Sequence, residues 1–152
     1  MTTRRRKLPD IRLETILDQV YSYEDPAGWQ FHWNVTEGMK QAKTTGELCP
    51  ILLAEYGITP EFVHSQYQGL DEAYALTTDL DEPLLFVPFD DKVRLIDGWH
   101  RLLNAALTGV EILPAYFLTY EEADACLVCC LPPGEGFDWG QPSRHTAAAA
   151  LH

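Results

Sequence analysis

The chain has 152 residues, 46% of them hydrophobic and 11% aromatic, with a formal net charge of −12. That composition suffices for one domain with its own core, excludes a disordered tail, and needs no disulfide staples. Five of the 11 basic residues, Arg4, Arg5, Arg6, Lys7 and Arg12, lie in the first twelve positions, leaving six basic against 22 acidic residues beyond them. A body of charge −16 repels phosphate backbones, so nucleic acid is expected to touch only the arm Arg4, Arg5, Arg6 and Lys7. No run nears the roughly 18 apolar residues of a membrane span, and the start lacks an export signal. A cytoplasmic protein is expected, with Cys49, Cys126, Cys129 and Cys130 as thiols.

Residues 1–9 read as a basic arm, because consecutive cations repel each other and Pro9 follows. The segment Ile11 to Val20 fits a helix or an edge strand. Asp25-Pro26-Ala27-Gly28 has turn composition, and Trp29, Phe31 and Trp33 then alternate with polar residues as in a strand with one apolar face. Those rings are expected in the core, the alternative being a stacking platform for a base. Thr36 can cap a helix running to about Thr45, ended by Gly46 in the left-handed conformation. Pro50 to Tyr56 fits a helix or a buried strand. Thr59-Pro60-Glu61 is a helix start, with Gly69 beyond the end.

Leu84 to Val87 and Lys92 to Ile96 read as two strands of a hairpin around Pro88-Phe89-Asp90-Asp91, with Pro88 at an edge or bulge. Trp99 to Thr108 should be a helix burying Leu102, Leu103, Ala106 and Leu107, with Gly109 as its stop. Glu111 to Leu118 reads as a third strand. Thr119-Tyr120-Glu121-Glu122 has capping-box spacing and opens a helix that Pro132-Pro133 must terminate. On that helix Cys126 and Cys130 share a face. Their spacing with Cys129 also suits zinc, but a closed site needs four ligands, so structural thiols are expected. The tail 134–152 should be held loosely by Phe137 and Trp139, leaving residues 10–133 as a single domain.

The richest segment is Asp97-Gly98-Trp99-His100-Arg101. A strand delivers the chain to a glycine turn and a helix starts at once, so free amides and the positive end of the helix dipole meet where Gly98 lets a ligand approach. His100 and Arg101 add donors suited to phosphate. Cations at a helix start are disfavoured unless an external anion or an internal carboxylate compensates. Lys92, Arg94 and Arg101 fall within ten positions of each other, a concentration that favours one small anion. In the plainer reading Asp97 caps the helix and Arg101 pairs with Asp90 or Asp91.

Residues 95–115, from Leu95-Ile96-Asp97-Gly98-Trp99-His100-Arg101 to Leu113-Pro114-Ala115, resemble the nucleotide-binding segment of the ParB/sulfiredoxin superfamily, a likeness extending over about residues 83–125. The resemblance implies an α+β fold, a small mixed sheet with flanking helices and an enlarged N-terminal half. It implies ATP or CTP with Mg²⁺, nucleotide contacts from Gly98, Trp99, His100 and Arg101, Asp97 toward the metal, and Asp97 and His100 as catalytic groups. Trp99 stands where sulfiredoxins carry their reactive cysteine, which argues against sulfinic-acid chemistry. No room is expected after Trp139 for the DNA-binding domain of partition proteins.

Three functions follow as expectations: NTP hydrolysis or phosphoryl transfer; a non-catalytic module engaging a protein partner through its acidic surface; and, against the body charge, a nuclease or partition-related DNA binder. Adjacent carboxylates such as Asp71-Glu72 and Asp90-Asp91 are mostly solvated surface, and His64 is a surface or packing residue.

Overall fold

A computed structural model describes residues 18–134; the basic arm, Arg12 and the tail with Phe137 and Trp139 lie outside the described residues. The described part is a small mixed α+β protein with three sheets and five α-helices. No helix in it is long and apolar enough to cross a membrane. In place of one mixed sheet, the strands divide among three: Val20–Glu24, Gln30–Asn34 and Leu127–Leu131; Ile51–Leu52 and Ile112–Leu113; and Lys92–Asp97, Leu84–Phe89 and Ala115–Phe117, the last of which is mixed.

The first hairpin joins β1 (Val20–Glu24) to β2 (Gln30–Asn34). Its loop is organised by Asp25, whose carboxylate accepts the N–H groups of Ala27 and Trp29. The expected alternation is incomplete. Trp33 is buried and Trp29 is 41% exposed, while His32, expected on the polar face, is 3% exposed. The register shift at His32/Trp33 against the strand Leu127–Leu131 breaks the period of two there.

Helix α1 (Val35–Thr45) starts one residue before Thr36. Asn34 has extended backbone and its side chain accepts the Glu37 N–H, so it is the cap, and Thr36 Oγ1 accepts the Gln19 N–H instead. Gly46 is extended at φ −89°, not left-handed, because the chain leaves directly toward β3 (Ile51–Leu52). After those two strand residues, Leu53–Tyr56 forms a 3-10 turn, so the ambiguous segment is part strand and part helix. Helix α2 (Pro60–Gln66) has the expected Thr59 cap and proline start. The short α3 (Glu72–Ala75) is capped by Asp71.

The second hairpin, β4 (Leu84–Phe89) and β5 (Lys92–Asp97), turns through Asp90 and Asp91 alone. Both have positive φ (55° and 66°), as a two-residue turn matching the strand twist requires. Pro88 lies past the last β4 residue paired with the parallel strand Ala115–Phe117, where no second neighbour needs its missing N–H. Helix α4 (Trp99–Thr108) ends at left-handed Gly109 as expected, and buries Trp99, Leu102, Leu103, Asn104 and Ala105, with Ala106 and Leu107 half-covered.

The expected third strand is two, β6 (Ile112–Leu113) and β7 (Ala115–Phe117), in different sheets. Pro114 lacks the N–H to continue a ladder, and its carbonyl accepts the Leu84 N–H. The capping box at Thr119 and Glu122 opens α5 (Tyr120–Cys126), but the helix stops there rather than at Pro132. Leu127–Leu131 is β8, paired antiparallel with β2. Leu-Val-Cys-Cys-Leu has strand-compatible side chains, and joining β2 satisfies its backbone. Cys126 and Cys130 therefore share no helix face. Burial pushes the Cys126 and Cys129 thiols up to about 11.

Candidate functional site

The Asp97-to-Arg101 turn is made by geometry that only glycine permits. Gly98 has φ +113°, and a Cβ there would lie 2.4 Å from Leu84 Cδ2. The side-by-side course of β4 and β5 makes that approach close, since Leu85 pairs with Asp97. Leu102 N–H donates to the Gly98 carbonyl at 2.8 Å, so Gly98 is the residue from which α4 springs. No side chain caps it. Asp97 is thus not the cap, because left-handed Gly98 occupies that position. The amides of Trp99, His100 and Arg101 fall outside the intrahelical ladder.

All five residues of the turn line a cleft of about 240 Å³. The rest of the lining includes Gln19, Val20 and Tyr21, at the start of β1, and Tyr67, Tyr74 and Thr78. These residues come from segments far away in sequence. Nothing in their local pattern marks them, although Trp99, already expected at the nucleotide, is in their midst.

Arg101 does not pair with Asp90 or Asp91, which sit at the opposite end of β5. Its guanidinium reaches Asp97 at 3.3 Å and donates to the Pro83 carbonyl at 3.0 Å. The i,i+4 spacing across the helix start brings the two charges together, and Pro83 lies beside them where the chain enters β4. The expected cluster of cations is dispersed. Lys92 is roughly 16 Å away along the strand at about 3.3 Å per residue. Arg94 is 0% exposed, donates to Tyr21 Oη at 2.8 Å and lies 3.7 Å from the centre of the Tyr23 ring. Its role is to fix two core tyrosines. Burial raises the Tyr21 phenol above its usual range, with Arg94 opposing the shift.

His100 faces α3. Its Nε2 accepts the Asp71 N–H at 3.2 Å, and its ring meets the Tyr74 ring edge-on at 4.8 Å. Burial lowers its pKa from the ordinary value, opposed by the Asp71 carboxylate. The ring is thus neutral near pH 7 with its proton on Nδ1. It can donate one hydrogen bond; its basic nitrogen is already occupied. Asn104 ties the same lining down, donating to the Thr78 carbonyl and hydroxyl at 3.3 and 3.2 Å.

Trp99 belongs to a column of stacked rings. It lies 5.3 Å from Tyr67, Tyr67 lies 6.2 Å from Tyr21, and Tyr21 lies 6.3 Å from Trp33. Trp99 Nε1 donates to the Leu95 carbonyl at 3.2 Å. Trp99 is therefore floor rather than rim. Phe31 extends the column at 5.8 Å from Trp33, so the rings of β2 are core.

The residues present do not fit a resident Mg²⁺. Asp97 is the carboxylate lining the cleft, it is paired with Arg101, and no group of three His, Cys, Asp or Glu side chains among the described residues is arranged to hold a metal. A phosphate fits better: the space that a Cβ would take at Gly98 is filled by Leu84 and Arg101, and what is offered to an anion is the first-turn amides with the helix dipole, which contribute about 0.3–1 kcal/mol. No family model, curated protein or solved structure matches the chain.

Proposed function

We propose that the protein binds a nucleotide in the cleft at the start of α4. The phosphate lies on the amides that follow Gly98 and on the Nδ1–H of His100. The observation that carries this reading is the coincidence of the cleft with the whole turn Asp97 to Arg101. The resemblance of residues 95–115 to ParB/sulfiredoxin nucleotide-binding segments supports it, as does the left-handed Gly98 ahead of a helix with no side-chain cap.

Hydrolysis or phosphoryl transfer asks more of these residues. His100 would have to release Asp71 to act as a base, and Asp97 would have to leave Arg101 to meet a metal-bound water. Binding is therefore the primary activity in this reading. Calorimetric titration with each of the four NTPs and with their monophosphates at millimolar concentration, with and without Mg²⁺, tests it. Heat with at least one of them, reduced in the His100→Ala variant, supports the reading; no heat with any overturns it.

A second reading is a non-catalytic module engaging a protein partner, favoured by the internal use of Arg101 by Asp97 and the Pro83 carbonyl. It expects nucleotide-independent capture of a basic partner through the acidic surface.

A further inference from the structure

We infer that Tyr74 is the ring-recognition residue of the cleft, and that the preferred ligand is a planar heteroaromatic ring with a small anionic group, of the nucleoside monophosphate class. This rests on the nucleotide reading above and narrows it.

The first argument is charge. Arg101 faces Asp97 and the Pro83 carbonyl, Arg94 is engaged by Tyr21 and Tyr23, and His100 offers one neutral donor. Among the described residues that line the cleft, the arginine is Arg101, and it is paired with Asp97. Partial dipoles can orient one phosphate but give a polyphosphate of several negative charges little to hold. Affinity has to come from the uncharged part of the ligand.

The second argument is which ring is open. Tyr67 is stacked on both sides, by Trp99 and by Tyr21. Trp99 and Tyr21 are buried. Tyr74 is 56% exposed and lines the same cleft. Its perpendicular contact with His100, at 84° between planes, covers at most one of its two faces. Its backbone is anchored, since the Asp71 carboxylate accepts the Ala73 and Tyr74 N–H groups while the Asp71 N–H is bound to His100. Stacking on a tyrosine face accepts any base.

The test titrates the four nucleoside monophosphates, their nucleosides and inorganic tripolyphosphate into the wild-type protein, Tyr74→Ala and Tyr74→Phe, after thermal melts have shown all three folded. At least one monophosphate should bind, its nucleoside should bind within about tenfold of it, and tripolyphosphate should give no signal at millimolar concentration. Tyr74→Ala should weaken the monophosphate by about tenfold or more, with Tyr74→Phe at the wild-type value. Tripolyphosphate binding as tightly as any nucleotide, with Tyr74→Ala unchanged, overturns the ring inference and leaves the phosphate site standing. Absence of binding by every nucleotide and nucleoside overturns both.

Discussion

Asp97 and Arg101 stand one helical turn apart on either side of Gly98, with carboxylate oxygen and guanidinium nitrogen 3.3 Å from each other and both side chains less than a fifth exposed. The pair answers the question raised by a cation in the first turn of a helix: an internal carboxylate compensates it. It also sets the character of the cleft, because Arg101 commits one terminal nitrogen to Asp97 and the Pro83 carbonyl while its Nε–H is buried without a partner among the described residues.

Asp97→Asn keeps the shape of the pair and removes its charge. The account expects nucleotide affinity to rise severalfold, since the guanidinium then faces the cleft with no carboxylate against it. Titration of the variant without metal measures this; a loss of affinity would show that Asp97 itself contacts the ligand.

Gly98→Ala places a Cβ 2.4 Å from Leu84 Cδ2 at a φ of +113°. Left-handed strain and overpacking together should destabilise the protein by about 3 kcal/mol. Urea denaturation measures this, and a change below about 1 kcal/mol would mean that the Leu84 side chain moves aside at little cost.

Trp99→Ala removes a buried ring stacked on Tyr67 at 5.3 Å. The expected cost is about 3–5 kcal/mol, read by the same denaturation, with loss of the cleft floor. A cost near zero would mean that the ring column is ornamental.

His32 supplies a pH dependence. Burial lowers its pKa from 6.5 to about 4, and the neutral ring contacts Ser22 Oγ at 2.7 Å and Gln30 Oε1 at 3.3 Å. The unfolded chain binds the proton more readily, so this contribution is complete above pH 6.5 and is lost as pH falls from 6.5 toward 4. It amounts to at most about 3 kcal/mol. His32→Gln should flatten stability between pH 6.5 and 5, where few carboxylates titrate; an unchanged slope in that interval would remove His32 as its source.

Local signals fixed what is local. The caps at Thr59 and Thr119, the Asp90-Asp91 hairpin and the span of α4 from Trp99 to Gly109 were all legible, because each depends on a few adjacent residues. The end of α5 was not, since Leu127–Leu131 carries apolar residues that suit a helix face or a strand, and pairing with β2, about a hundred residues earlier, decides the matter. Nor did the sequence reveal what faces the turn at Gly98. Tyr67, Tyr74 and Thr78 reach it only because α2 and α3 pack on α4, and Arg94 is withdrawn from it because its strand position points into the core.

The most direct measurement is a titration of isotope-labelled protein with a nucleoside monophosphate, followed by amide chemical shifts. The largest changes are expected at Gly98, Trp99, His100 and Arg101, together with Tyr74 and the residues Gln19 to Tyr21 that line the same cleft. Shifts centred on another surface, or none at millimolar ligand, would contradict it.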